Sequence, residues 1–372
     1  MVKKQLATCI MVGLLALATS ESKAETKEPL LEAEASLLMD AQSGQILFEE
    51  NGDEAMYPAS VTKIVTGIMA IEEGNLEELV TVSEEATHAD GTRVYLLEDE
   101  KVELETLVQG LLINSGNDAG TAIAEHLAGS EAAFAKEMNA FVEEKIGVED
   151  THFTNPHGLF DEDHYTTVED MALITNYALE NETFREIVGT KELDWEGEGW
   201  ETTLYNHHRL LWDYEGAVGV KNGFVTQSGF TLVTAAERNG QELIAVTFKN
   251  TTAQNSYDDT TELLDYGFET FSSEEIPFEQ TYYNQENEPY TLIQPDYVTF
   301  EKEHEVEGDV VGNYLILHDD QGNFLKEVEV ERENSQDQLP VSQPGAEESW
   351  LEKVVAFLKT GLAKTIGRTP LM

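Results

Sequence analysis

Apolar residues recur along this chain with two periods, and the change between them divides it. Val61, Ile64, Val65, Ile68 and Met69 follow Pro58 at helical spacings. They predict a helix that begins at the proline, where the missing N–H costs nothing, and ends near Gly74-Asn75. So many apolar positions in so few turns place this helix inside a core. The same spacing predicts helices over Glu103–Ile113, Asp118–Leu127 (closed by Gly129), Phe134–Lys145 and Val168–Leu179, with a closing helix over Glu262–Phe268.

Between these helices the period drops to two. Ala35–Met39 and Gln45–Phe48 are expected to be strands joined at Ser43-Gly44, and Gly216–Lys221 has a strand-like ending. Phe230–Ala236 and Glu242–Phe248 flank Asn239-Gly240, a strong hairpin signal. Helices and hairpins mix without βαβ alternation, which predicts an α+β domain with a mainly antiparallel sheet over 25–272. From there to 332 the runs are short and alternating: Tyr290–Ile293, Tyr297–Phe300, Tyr314–Leu317 and Phe324–Val330. They predict a small all-β domain over 273–332.

The ends carry different patterns. Lys3 and Lys4 precede an apolar run from Leu6 to Ala18, and Ser22-Lys23-Ala24 offers small residues for cleavage, so 1–24 reads as a secretory signal. Residues 333–348 are rich in Gln, Ser, Pro and acid and read as a linker. Over 349–372, Trp350, Leu351, Val354, Val355, Phe357, Leu358, Leu362 and Ile366 cover half of a helical wheel, with Lys353, Lys359, Lys364 and Arg368 as its charges. A basic amphipathic helix of this kind can lie in an anionic membrane interface, or dock on its own β domain.

Charge sharpens that last point. The chain of 372 residues has 22 Lys and Arg against 73 Asp and Glu, a formal net charge of −51. Such a surface repels nucleic-acid phosphate, and only the basic tail reverses its sign. An exported protein of high-salt or alkaline surroundings would carry such a surface to stay hydrated. The only cysteine, Cys9, lies in the leader, so the mature chain would hold no disulfide, thiol nucleophile or thiolate metal site.

Candidate chemistry starts at Ser60. Lys63 stands one turn on, placing an amine near a hydroxyl at the positive end of a helix dipole, and a deprotonated lysine can activate a serine. Alone, such a pair is common. Two more short motifs follow in order, Ser115-Gly116-Asn117 on a turn between helices and Lys221-Asn222-Gly223 at a strand end. Together the three resemble the S-x-x-K, S-x-N and K-T-G set of the serine penicillin-recognising enzymes. Tyr57-Pro58-Ala59-Ser60, Leu111–Ala119, Asn155-Pro156-His157-Gly158-Leu159, His164-Tyr165-Thr166-Thr167 and Leu264–Phe268 narrow the likeness. The chain resembles the low-molecular-mass D-alanyl-D-alanine carboxypeptidases from about Glu34 to Phe268, and the β domain and amphipathic tail match that family's layout.

The resemblance implies a β-lactamase/transpeptidase-like domain that removes the terminal D-alanine from peptidoglycan stem peptides and binds β-lactams, without cofactor or metal. It implies catalytic Ser60, Lys63 and Ser115: nucleophile, base, and relay to the leaving amine. Asn117 would orient Lys63 and the substrate amide. The backbone N–H groups of Ser60 and Phe224 would form an oxyanion hole. Lys221, Asn222 and Gly223 would bind substrate, Lys221 bringing charge toward Ser115 and the substrate's carboxylate. It also implies an enzyme at the outer face of a bacterial cytoplasmic membrane.

Two departures stand out. Asn222 replaces the usual threonine of the third motif. The stretch Thr251–Thr261, where relatives often place an arginine for the substrate's C-terminus, contains no basic residue, and only Lys249 is near. These departures motivate a rival reading, a penicillin-binding sensor without turnover. A β-lactamase fits less well, for lack of a recognisable deacylation glutamate. His207 and His208 lack partners at ligand spacing and are expected to be ordinary strand or loop residues, as His157 and His164 are expected to be structural. The net charge favours a protonated Lys63, but burial and nearby Lys221 oppose it at short range, where screening is weak.

Overall fold

The strands expected in the first 250 residues pair into one antiparallel sheet in the computed structural model, which describes residues 27–333. Its strands are β1 (Ala35–Asp40), β2 (Ile46–Glu50), β3 (Ala217–Val225), β4 (Gly229–Arg238) and β5 (Gln241–Asn250), in spatial order β2-β1-β5-β4-β3. Asn239 and Gly240 turn the β4–β5 hairpin with φ of 54° and 85°, the double positive φ of a type I′ turn.

Period-two alternation gives the sheet two apolar faces. Leu37, Met39, Val233, Ile244 and Val246 point into the larger core. There they meet α1 (Lys63–Glu73), α2 (Leu104–Ile113), α3 (Asn117–Ala128), α4 (Glu131–Phe141) and α5 (Val168–Leu179). Leu38, Leu232, Leu243 and Ala245 point the other way, onto Leu263 and Leu264 of α6 (Ala253–Thr270). The first helix is as deeply set as its pattern predicts, with every residue from Lys63 to Ala70 buried.

Three elements differ from the sequence reading. The helix expected to begin at Pro58 starts later: residues Ala59–Thr62 form a single 3-10 turn and the α-helix begins at Lys63. Ser60 therefore sits on a tight turn. The third strand continues through Asn222-Gly223-Phe224 to Val225, which puts that motif inside an edge strand. The closing helix starts nine residues early, at Ala253, where Thr252 caps it by accepting from the Asn255 N–H. Its first turns are polar and carry no apolar period. Tertiary contacts hold them instead, such as Asp259, which accepts from the Glu32 and Ala33 N–H groups at 3.0 and 2.8 Å.

The C-terminal all-β region forms as expected, around Ile276, Leu292, Val298, Leu315, Leu317 and Val330. The division at 272/273 falls inside its first strand, β6 (Phe271–Glu275), which pairs with β8 (Tyr297–Glu301). Further strands are β7 (Pro289–Leu292), β9 (Val306–Val311), β10 (Tyr314–Asp319) and β11 (Phe324–Arg332), with a short Tyr282–Tyr283 strand pairing with β7. The turn after β1 docks into this region. Gln45 exchanges hydrogen bonds with the backbone of Thr299, and Lys326 Nζ reaches the Ser43 carbonyl at 2.8 Å. Among the described residues no helix is long and apolar enough to cross a membrane. The leader over 1–24, the linker from 334 and the tail over 349–372 lie outside the described residues.

Candidate active site

The 3-10 turn presents Ser60 because three neighbours clamp it. Ala59 has a φ of 52°, a conformation that costs a non-glycine residue energy and persists only where packing over-determines it. Thr231 Oγ1 of β4 donates to the Pro58 carbonyl at 2.9 Å from one side. Gly158 packs on the other: with φ at 83°, a Cβ there would stand 1.8 Å from the Ala59 carbonyl oxygen. Below the turn, Thr62 Oγ1 lies 2.8 Å from His164 Nε2. His164 Nδ1 accepts from the Thr154 N–H at 3.0 Å, which fixes the proton on Nε2. Burial pushes His164 down to about 3, so this histidine is a neutral strut.

One helical turn on, Lys63 is fully buried. Its Nζ donates to Ser60 Oγ at 3.1 Å and to the His157 carbonyl at 2.7 Å. Burial holds its pKa well below the ordinary lysine value, nearby Lys221 lowers it further, and Asp118 alone pulls the other way. The Asp118 carboxylate is itself occupied by the Val94, Leu96 and Ala119 N–H groups at 3.0, 3.2 and 3.0 Å. Local desolvation and the second cation thus prevail over the net charge. A hydroxyl at hydrogen-bond distance from an amine that gives up its proton easily can become a nucleophile.

The other two motifs arrive from α2–α3 and from β3. Ser115, with a φ of 63°, turns the chain between the helices and is almost wholly buried. Lys221 is also buried, donates to the Asn222 carbonyl at 3.0 Å, and is pushed by burial down to about 7. Gly223 lets the strand approach the turn: a Cβ there would lie 2.7 Å from the Ser60 nitrogen and 2.5 Å from Thr231 Oγ1. Ser60, Ser115, Asn222, Gly223 and Phe224 line one cavity of about 250 Å³. Phe224 is exposed at its rim and stacks on Phe230 at 4.5 Å. Lys63 and Lys221 lie buried in the wall behind.

Asn117 faces elsewhere. Its Nδ2 donates to the Asp90 carbonyl at 2.5 Å and its N–H to the Thr92 carbonyl at 2.7 Å. In place of the expected hydrogen bond to Lys63, it fastens the loop that brings Thr92 to the cavity. The contact to Lys63 comes instead from the His157 carbonyl, a backbone group that side-chain motifs do not reveal. Lys249 is not available to a substrate carboxylate either, being paired with Glu34 at 2.5 Å.

His207 was expected to be an ordinary strand or loop residue, yet it lines the cavity with Ser256 and Tyr257 of α6. Its neighbours hold the turn. Asn206 Nδ2 donates to the Val188 and Thr190 carbonyls, while His208 is buried against Thr234 Oγ1 at 2.9 Å. Among the described residues no three His, Cys, Asp or Glu side chains are grouped to hold a metal ion.

The family model described as D-alanyl-D-alanine carboxypeptidase (peptidase S11) matches residues 22–252. The D-alanyl-D-alanine carboxypeptidase DacF of Bacillus subtilis is 31% identical over 283 residues, 73% of this chain and 72% of its own. DacA of Haemophilus influenzae is 31% identical over 311 residues, 77% of this chain and 78% of its own. The crystal structure of penicillin binding protein 5 from Haemophilus influenzae superposes with a TM-score of 0.74 at 27% identity, covering 83% of this chain and 98% of that one.

Proposed function

The chain belongs to the D-alanyl-D-alanine carboxypeptidase family of serine hydrolases, and on that premise we propose that Ser60 is the nucleophile that removes the terminal D-alanine from peptidoglycan stem peptides. Ser60 Oγ attacks the carbonyl carbon of the penultimate D-alanine while its proton passes to Lys63 Nζ. The oxyanion settles between the N–H groups of Ser60 and Phe224, an approach that the missing side chain at Gly223 leaves open. Ser115 relays that proton from Lys63 to the leaving amine, giving its own and taking the one Lys63 holds; the C–N bond breaks, D-alanine departs, and Lys63 is neutral again beside an acyl-enzyme. Water then attacks the ester, giving its proton to Lys63, which returns it to Ser60 Oγ as the ester bond breaks. Lys221 and Asn222 draw the substrate's carboxylate into the cavity, and a β-lactam would be trapped on Ser60 at the ester stage.

The observation that carries this reading is the 3.1 Å contact between Ser60 Oγ and a lysine whose burial favours the neutral amine. The test is release of D-alanine from a pentapeptide by wild type and by Ser60→Ala, beside labelling with fluorescent penicillin. Loss of both in the variant supports the assignment. Labelling without release in wild type would favour the sensor reading, and a fast cephalosporin hydrolysis the β-lactamase.

We further propose export through the leader at 1–24, a catalytic domain over 25–272 with a β domain over 273–332, and attachment of the tail at 349–372 to the outer face of the cytoplasmic membrane. Support comes from the charge pattern: Lys353, Lys359, Lys364 and Arg368 stand on an apolar helical repeat in an otherwise acidic chain. Deleting 349–372 should move the protein from the membrane to the soluble fraction of a cell lysate, and an unchanged distribution would refute the attachment.

A further inference from the structure

The cavity lacks the arginine expected for a substrate's C-terminus, and the donors on its sheet-side wall can be accounted for one by one. Thr231 Oγ1 donates to the Pro58 carbonyl, Ser256 Oγ to the Ala253 carbonyl at 2.9 Å, and the Tyr257 hydroxyl to the His207 carbonyl at 3.1 Å. Each is committed. The Asn222 amide and the His207 imidazole remain. Of the described residues that line the cavity, only His207 carries a ring N–H donor. Its ring has no hydrogen-bond or ion-pair partner among the described residues, while its backbone is pinned by Tyr257 and by its neighbours Asn206 and His208. A free ring on a fixed backbone is a preorganised donor.

We propose that His207 binds the terminal carboxylate of the substrate, its imidazole standing beside the Asn222 amide in the role for which this chain has no arginine. The charge around it suits an anion. Lys221 and Lys63 lie behind the same cavity and, after burial, lower the His207 pKa to about 4, so the ring meets the substrate as a neutral N–H donor. A field that expels a proton from a ring attracts a carboxylate to the same place. Ala253, in the first turn of α6, lines the cavity as well, so the positive end of that helix dipole adds to the field. Arg209, the next cation along, lies over the Tyr257 ring at 5.2 Å and is occupied by Asp213 and Gln254.

The proposal rests on the carboxypeptidase reading, and its test separates the two. His207→Ala should lower kcat/KM for a peptide ending in D-Ala-D-Ala by about 10- to 50-fold, chiefly through KM, because a hydrogen bond to a charged group is lost in ground and transition states alike. For the same peptide ending in D-alaninamide, wild type and variant should differ by less than about twofold. His207→Arg should restore the carboxylate preference. An equal loss on acid and amide, no loss on either, or no recovery with arginine would overturn the proposal. Should wild type release no D-alanine, the carboxypeptidase reading fails. The role of His207 is then read from the rate at which benzylpenicillin, itself a carboxylate, acylates Ser60: a drop of about tenfold in His207→Ala supports it and an unchanged rate refutes it.

Discussion

The two domains use the same residue types in opposite ways. In the catalytic domain the side chains of Lys63, Lys221, His164 and His208 are buried without a carboxylate partner, and each pKa is driven down, mainly by desolvation. In the β domain Lys326 holds Asp296 at 2.6 Å and His304 holds Asp320 at 2.7 Å, and the hydrogen bond to Asp320 raises the His304 pKa. A chain this rich in acid could give every cation a carboxylate. The cations around Ser60 are denied one, Lys63 having only Asp118, whose carboxylate backbone N–H groups already occupy. Withholding the partner costs stability and yields an amine able to take a proton, a difference that separates a site from a scaffold.

The largest effect expected from breaking that difference is at the nucleophile itself. Ser60→Ala should reduce D-alanine release by on the order of 10⁴-fold or more, measured by release from a pentapeptide, with the fold retained by circular dichroism. Lys63→Met should fall close behind it. Gly223→Ala comes next: the new methyl would meet the Ser60 nitrogen and Thr231 Oγ1, so activity should drop by about 100-fold and stability by roughly 1–3 kcal/mol.

Lys221→Met should separate activity from stability. Folding lowers the Lys221 pKa from 10.5 to about 7. Between those values the unfolded chain binds a proton that the folded chain has released, so stability rises with pH across this window. Below about 7 the full cost of burying the ammonium is present. The variant should therefore melt higher than wild type at pH 6, lose that advantage toward pH 10, and turn over substrate poorly throughout. In wild type, activity should rise with pH through the neutral range as the Lys63–Lys221 pair loses a proton. A flat profile would remove Lys63 as the base.

Histidine supplies the smallest contrast. Folding lowers His164 from 6.5 to about 3, so the unfolded chain gains protons first as pH falls, and the catalytic domain should lose stability progressively from about pH 6.5 toward 3. His164→Gln should flatten that slope in thermal melts. His304→Gln, in the β domain, should leave both the acid limb and D-alanine release unchanged.

Much of this architecture is legible in the amino-acid sequence. The apolar repeat from Val61 to Met69 gave the buried helix, Asn239-Gly240 gave the hairpin, and three short motifs gave the residues that meet at the cavity. The misses share a cause. The first turns of α6 have no apolar period, because Asp259 and its backbone partners hold them, and the His157 carbonyl is invisible to any motif made of side chains. Asn117 turns to the Asp90 carbonyl and not to Lys63 because spacing along a chain does not say which of two nearby loops an amide will face.

Local sequence determined which elements form and which side chains could do chemistry, since helix and strand periods and turn residues act over a few positions. The tertiary structure decided protonation and approach: whether Lys63 loses its partner carboxylate, how near β3 comes to Ser60, and that His207 rather than Lys249 turns into the cavity. Those outcomes depend on desolvation and on contacts between residues from 50 to more than 150 positions apart. No stretch of the chain contains both halves of such a contact.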